Sequence, residues 1–190
     1  MKTRFHKMHC LGNDFVVIDA RDAAVAMTAA RAHAIADRRT GIGCDQLILL
    51  EPSQVADVKM RIFNADGGEV EACGNATRCI ATLLNKPAAI ETLGGILQTI
   101  PGDSGATVTL LPPAFDWELI PLAMPMDTRD MPVSWEELAR PAAVNVGNPH
   151  VVFFVPDCDA VDLEMLGPII EHDPLFPERV NVNVASLDGE

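Results

Sequence analysis

Apolar positions along the first half of the chain fall into two rhythms. Residues 4–9 alternate in character and read as a strand, and Leu11-Gly12-Asn13-Asp14 has the turn chemistry to end it. The run Phe15-Val16-Val17-Ile18 reads as a second, more buried strand. A helical spacing follows. Thr28 is placed to cap an alanine-rich helix reaching about Arg38, with Ala32, Ile35 and Ala36 inward. Arg38 and Arg39 stand at its C-terminal end, where the dipole favours cations, and Gly41-Ile42-Gly43 stops it. Residues 46–51 and 58–63 read as strands, the latter ending in the turn Asn64-Ala65-Asp66-Gly67-Gly68. Ala76, Cys79, Ile80, Leu83 and Leu84 then mark one face of a second helix, with Asn75 as N-cap and a close near Asn85-Lys86-Pro87. Gly94-Gly95 leads to a strand over 96–100, and Asp103-Ser104-Gly105 turns it into a hairpin with 107–111.

The second half is less regular. Pro112-Pro113 and the proline-rich stretch 121–141 read as a crossover, dividing an N-terminal lobe at 1–115 from a C-terminal lobe at 116–190. Ser134, followed by Glu136 and Glu137, suggests a short helix over 134–138. Strands are expected at 142–146 and 151–155, separated by Gly147-Asn148-Pro149-His150. A helix starting at Asp159 or Asp162 covers 161–170, complicated by Gly167-Pro168. Residues 174–177 form a loop and 179–187 a last strand, before Asp188-Gly189-Glu190. The whole pattern is α+β.

Composition changes this picture little. A hydrophobic fraction of 48% over 190 residues allows a sizeable core. The formal net charge of -13 argues against nucleic acid and against an anionic membrane surface as partners. No apolar stretch resembles a signal peptide or a membrane span. The five cysteines (10, 44, 73, 79 and 158) form no Cys-x-x-Cys pair, which fits reduced thiols and a cytoplasmic location. His6, His9 and His33 are too scattered to be ligands, so no metal site is expected. Gly41-Ile42-Gly43 lacks a third glycine and follows a helix, which makes a dinucleotide site a weak reading.

The candidate chemistry sits at Glu71-Ala72-Cys73-Gly74-Asn75-Ala76-Thr77-Arg78-Cys79. Cys73 lies just ahead of a helix start, where free N–H groups and the positive dipole end favour a thiolate and can bind an anion. Free cysteines are more often inert than catalytic, and on this stretch alone the inert reading is the default.

Five ordered blocks shift that balance. Lys7-Met8-His9-Cys10-Leu11-Gly12-Asn13-Asp14-Phe15, Gly41-Ile42-Gly43-Cys44-Asp45-Gln46, and Phe63-Asn64-Ala65-Asp66-Gly67 with Cys73-Gly74-Asn75 and Arg78-Cys79 resemble the diaminopimelate epimerase family. Gly147-Asn148-Pro149-His150 and Phe176-Pro177-Glu178-Arg179-Val180-Asn181 resemble two later blocks of it. The resemblance implies two similar lobes of mixed sheet wrapped on a helix, with the active site in the cleft between them. It implies epimerisation of LL-2,6-diaminopimelate to the meso form in lysine and peptidoglycan precursor biosynthesis, without pyridoxal phosphate, other cofactor or metal. In that chemistry one thiolate removes the α-proton and a thiol on the far face delivers another. Cys73 matches one of the two. Gly74 and Asn75 match donors to the substrate α-carboxylate, and Asn13, Gln46, Asn64, Asn148 and Asn181 match further substrate contacts. Amides suit a substrate that carries an ammonium and a carboxylate at both ends. His150 matches a position that modulates the cysteines; without the resemblance it would read as a histidine donating to backbone after a proline turn.

Other residues carry blander expectations. Cys79 belongs to the helix's apolar stripe, and Cys158 is a bystander in a loop. Cys44 stands where the family varies. Cys10 replaces a glycine of the family and is expected to perturb the pocket rim. The family's Glu-Arg-Gly block and its Cys-Gly-(Ser/Thr)-Gly block, with the second catalytic cysteine, are not in this sequence. The expectation is therefore a second lobe that is incomplete, with an open sheet edge that invites a homodimer or a separate completing chain, and no turnover by this chain alone. Two alternatives stand beside the epimerase: a non-catalytic ligand-binding remnant, and another two-lobed racemase of the proline racemase type.

Overall fold

A computed structural model describes residues 3–103, 105–110 and 112–187, which fall into two units, Met1–Leu111 and Pro112–Glu190. The first unit runs β1 (His6–Cys10), β2 (Asn13–Asp19), α1 (Ala29–Ala36), β3 (Gln46–Glu51), β4 (Val58–Asn64), β5 (Glu69–Val70), α2 (Gly74–Leu84), β6 (Ala88–Thr92), β7 (Gly95–Gly102) and β8 (Gly105–Thr109). Its sheet is ordered β1-β2-β3-β4-β6-β7-β8, with β5 paired to β4. The β2–β3 and β4–β6 neighbours are parallel and the others antiparallel.

The unbroken apolar runs have a direct cause. Successive side chains of a strand point to opposite faces, and here both faces are covered. Phe15, Val17, Ile48 and Leu50 pack with Met60, Ile62 and Ile90 against Ala76, Cys79 and Ile80 of α2. Val16, Ile18, Leu47 and Leu49 pack against Ala32 and Ala36 of α1. Strands buried on both faces have no polar positions to alternate with. Helix α2 touches both edge strands, β1 and β8, as well as β6 and β7, so the sheet curls around it.

The second unit holds β9 (Ser134–Trp135), β10 (Leu138–Ala139), β11 (Ala142–Asn145), β12 (Pro149–Phe154), α3 (Leu163–Glu171) and β13 (Asn181–Ala185). Its three-stranded sheet is ordered β11-β12-β13, antiparallel then parallel. Val151 and Phe153 of β12 meet Leu166 and Ile170 of α3, Phe176, and Ile120, Leu122 and Met131 from the proline-rich stretch. That stretch is therefore part of the core and not only a connection. Strand β13 is a sheet edge, and Phe154, Met165 and Ile169 are exposed. Among the described residues no helix is long and apolar enough to cross a membrane.

Three local expectations are corrected. Residues 134–138 form no helix. Ser134 and Trp135 pair with Ala139 and Leu138 in a small hairpin, and Glu136 takes a positive φ of 48°. Pro132 and Pro141 leave too few residues between them for a stable helix, and the hairpin puts Leu138 in the core. Helix α2 begins at Gly74 with Cys73, not Asn75, as its N-cap. Strand β6 was not foreseen; its alanines and single isoleucine carry little signal, and pairing with β4 and β7 creates it. Thr28 does cap α1, accepting from the Arg31 N–H, and Asp162, one of two candidates, caps α3. Ser104 of the hairpin turn, Leu111 and residues 188–190 lie outside the described residues.

A polar clamp fixes the β1–β2 turn. The Asp14 carboxylate accepts from Lys7 Nζ at 2.6 Å, Arg38 Nη2 at 2.6 Å and the Asp45 N–H at 2.9 Å, while the Asp14 N–H donates to Asp45 Oδ2. The Arg38 guanidinium, aided by Lys7, holds the Asp14 carboxyl well below the usual carboxylate range despite its partial burial. A carboxyl depressed on folding contributes stability above its unfolded value, near 3.9, and loses it as pH falls through the folded value. Asp14→Asn should therefore lower the urea midpoint at neutral pH by roughly 0.5 M. The gap to the parent protein should narrow below about pH 4. Equal midpoints at neutral pH would show that the clamp contributes nothing.

Candidate active site

Each unit gathers polar side chains at one end of its sheet. In the first unit the chain leaves β4 at Asn64, turns back through β5, and enters α2 at Gly74. The helix start is thereby delivered beside Asn13 at the beginning of β2. Cys73 has extended backbone (φ -147°, ψ 110°), and its Sγ accepts from the Ala76 N–H at 3.4 Å. The Cys73 carbonyl takes both the N–H and the hydroxyl of Thr77. The Gly74 N–H makes no backbone hydrogen bond among the described residues. A Cβ added at Gly74 would meet nothing within 4 Å, so there is open space beside this residue. An unpaired donor at a helix start with room beside it fits a small anion.

Asn75 does not cap because its side chain is engaged elsewhere. Its Nδ2 donates to Asn13 Oδ1 at 2.9 Å, and its Oδ1 receives a long contact from Cys10 Sγ at 3.9 Å. Cys10 thus reaches the rim of this group, as its place in the turn suggested. Gln46 and Asn64 stand directly opposite on β3 and β4, and Gln46 Nε2 donates to Asn64 Oδ1 at 2.9 Å. Gln46 Oε1 is buried without a partner among the described residues. A buried acceptor in that state is costly; a ligand ammonium would satisfy it.

Burial pushes the Cys73 thiol up, and the N–H groups of Ala76 and Asn75 only partly offset this. The helix-start expectation of a thiolate is corrected accordingly: desolvation outweighs the helix donors, and Cys73 rests as a thiol at neutral pH. Cys79, buried against α2's partners, donates to the His9 carbonyl at 3.6 Å and is pushed up to about 11 by burial. Cys44 is buried, and Cys158 lies half-buried in a 3-10 turn, Cys158–Ala160.

The second unit brings together Asn148, His150 and Asn181. Gly147 takes a φ of 113°, which a side chain would strain, and its N–H is held by Asn145 Oδ1. This turn places Asn148 next to β12. Among the described residues the His150 ring bonds no backbone group: Nε2 meets Asn148 Oδ1 at 2.9 Å, and Nδ1 meets Asn183 Nδ2 at 3.1 Å. Burial pushes the His150 ring down, with the Asn183 contact opposing. Asn181 donates through Nδ2 to the Pro149 carbonyl, leaving its Oδ1 outward. Asn183 was missed by the sequence reading. The two-residue period of Asn181-Val182-Asn183 puts it on the same face as Asn181 and was the available signal. No group of three or more His, Cys, Asp or Glu side chains converges as a metal set among the described residues.

Comparison with known proteins adds to this geometry. A family model described as diaminopimelate epimerase matches residues 5–111. The chain is 78% identical over 190 residues to the diaminopimelate epimerase of Sphingopyxis alaskensis, covering all of this chain and 71% of that one. It is 69% identical over 189 residues to that of Rhizorhabdus wittichii, covering 99% of this chain and 69% of that one. Two solved structures share the fold. A PhzF-family phenazine biosynthesis protein from Bacillus anthracis has a TM-score of 0.59 at 20% identity, over 100% of this chain and 69% of that one. A probable proline racemase from Agrobacterium radiobacter K84 has a TM-score of 0.66 at 15% identity, over 100% and 67%.

Proposed function

The chain belongs to the diaminopimelate epimerase family, and we propose that Cys73 is the group that exchanges a proton with the substrate α-carbon when LL-2,6-diaminopimelate is converted to the meso form. The observation that carries this role is the thiol at the start of α2 beside the unpaired Gly74 N–H, at a residue with open space where a Cβ would stand. A carboxylate seated on the Gly74 and Asn75 N–H groups brings its α-carbon to the sulfur one residue earlier. The same donors meet the negative charge that spreads onto the carboxylate as the α-proton leaves, which is where stabilisation lowers the barrier.

The ionisation of Cys73 suits a proton donor. In the empty site the thiol is neutral. After it gives up its proton, the sulfur anion faces the Ala76 and Asn75 N–H groups, so the step costs less than burial alone would impose. In the reverse direction the same anion is the base. On the far face of the α-carbon a second group makes the opposite transfer, removing the α-proton when Cys73 donates and delivering one when Cys73 accepts; none of these residues is proposed for it.

The amides divide the rest of the substrate. The orphaned Gln46 Oε1 takes an ammonium hydrogen, with Asn64 holding Gln46 in place. Asn13 holds the Asn75 amide. Within the second unit, Asn148 and Asn181 are proposed as substrate contacts from their match to family positions, and His150 acts through Asn148.

The test is incubation with LL-diaminopimelate in deuterated water, with isomers separated and isotope content read by mass spectrometry. The expected result is deuterium incorporated at one α-carbon through Cys73; net conversion to meso-diaminopimelate needs in addition the group on the far face, for which none of these residues is proposed. Calorimetric binding with no isotope incorporation would overturn the catalytic reading in favour of a binding module.

A further inference from the structure

We propose that Asn183 is a positioning residue which, acting through the His150 ring, holds the Asn148 amide with its N–H2 end free, so that the second unit presents a hydrogen-bond donor to a ligand carboxylate and not an acceptor to an ammonium. This rests on the reading of Asn148 as a substrate contact.

The inference runs along three links. The first is the orientation of Asn183. Val182 and Val184 of β13 pack into the core, which leaves Asn183 on the opposite face with its register neighbours. One end of its amide lies 3.0 Å from the Asn181 carbonyl oxygen and 3.2 Å from that of Val151. Carbonyl oxygens only accept, so two of them around one amide end identify that end as N–H2. The backbone itself decides the orientation.

The second link is the histidine tautomer. The same N–H2 lies 3.1 Å from His150 Nδ1. An amide nitrogen has no lone pair to offer, so Nδ1 is the bare nitrogen, and it shares one of the two N–H2 hydrogens with the longer Val151 carbonyl contact. In a neutral imidazole the hydrogen is then on Nε2. Burial favours the neutral ring, and a donor to Nδ1 favours it too; the opposing sign of the Asn183 contact would need Asn183 to accept, which the two carbonyl oxygens around its amide nitrogen rule out.

The third link is Asn148. Nε2 lies 2.9 Å from Asn148 Oδ1, and with the hydrogen on Nε2 that end of the amide accepts. The Asn148 N–H2 points away from the ring and takes no partner among the described residues. Two free N–H donors match a carboxylate, which only accepts, and not an ammonium, which only donates. If the ring held its hydrogen on Nδ1, the bare Nε2 would draw the Asn148 N–H2 inward and turn its oxygen toward the ligand, repelling a carboxylate.

The experiment reads the tautomer directly. In uniformly 15N-labelled protein without ligand at neutral pH, the His150 ring signals, assigned by their loss in His150→Gln, should show a bare Nδ1 and a protonated Nε2. Asn183→Asp replaces the donor by an acceptor and should move a hydrogen onto Nδ1. Asn183→Leu removes the donor without adding charge; it should give a mixture of tautomers and raise KM for diaminopimelate about tenfold with kcat nearly unchanged. A protonated Nδ1 in the unmodified protein overturns the proposal, even if both variants fail to fold. So does an unchanged tautomer and KM in Asn183→Leu. Because the ring is read without ligand, a protein that does not bind diaminopimelate would end the functional reading while leaving the tautomer result intact.

Discussion

Cys73→Ser should lower kcat for α-proton exchange in diaminopimelate by about 10³-fold or more, the scale expected when a group that moves the proton in the transition state is removed. A hydroxyl is a far weaker acid than a thiol and cannot take its place at neutral pH. The folded protein should not suffer. Cys73 caps α2 through a long 3.4 Å contact to the Ala76 N–H, and serine is a better N-cap than cysteine. Stability should therefore be unchanged or slightly increased, and KM should change little because the Gly74 and Asn75 N–H groups remain. This separation of kcat from stability distinguishes a chemical role from a structural one. The pH dependence supplies a second check. Burial raises the Cys73 thiol, so its alkylation by iodoacetamide in the empty protein should climb with pH around a midpoint above the ordinary thiol range. Retention of most of the parent kcat in Cys73→Ser would remove Cys73 from the mechanism.

Phe153→Ala should cost the second unit about 3–5 kcal/mol. Phe153 is 1% exposed on the central strand β12. Its ring meets that of Trp135 edge-on with centroids 6.0 Å apart, and Trp135 in turn stacks on Phe176 at 6.0 Å. Trp135 Nε1 donates to Asp173 Oδ2 at 2.9 Å, so the indole cannot swing into a cavity left by Phe153 without giving up that bond. Poor collapse of the cavity is what places the cost at the upper end of the range. Such a loss is a large part of the total stability of a typical domain. The protein's two tryptophans, Trp117 and Trp135, both belong to the second unit, so their fluorescence follows its unfolding in urea. Phe154→Ala, one residue on but 64% exposed, should change stability by no more than about 0.5 kcal/mol. Equal effects at 153 and 154 would contradict the assignment of the two faces of β12.

Much of the first unit could be read before any coordinates. Its strands carry apolar runs that only a sheet covered on both faces explains, and Thr28 announces α1 by a side chain suited to capping. The block around Cys73 was identifiable by its residue order alone. In the second unit the turn at Gly147 was likewise legible, and the cap at Asp162 was one of two candidates. These are local signals: they depend on neighbouring side chains and on backbone preferences that hold wherever the segment sits.

What stayed hidden depended on partners distant in the chain. Asn75 is the better cap by preference, yet Cys73 caps α2, because Asn13, 62 positions away, occupies the Asn75 amide. The polar pattern at 134–138 suits a helix, but the core needs Leu138 and Trp135, and a hairpin supplies both. The state of the Cys73 thiol turned on the balance between burial and helix donors, which residue order does not reveal. The His150 tautomer was further still from view, since two carbonyl groups on β12 and β13 decide it through Asn183. Local order, with the family resemblance it carries, thus singles out Cys73 and most of the polar residues proposed around it. Their protonation and the direction each amide faces arise from desolvation and hydrogen bonds that exist only once the strands have paired.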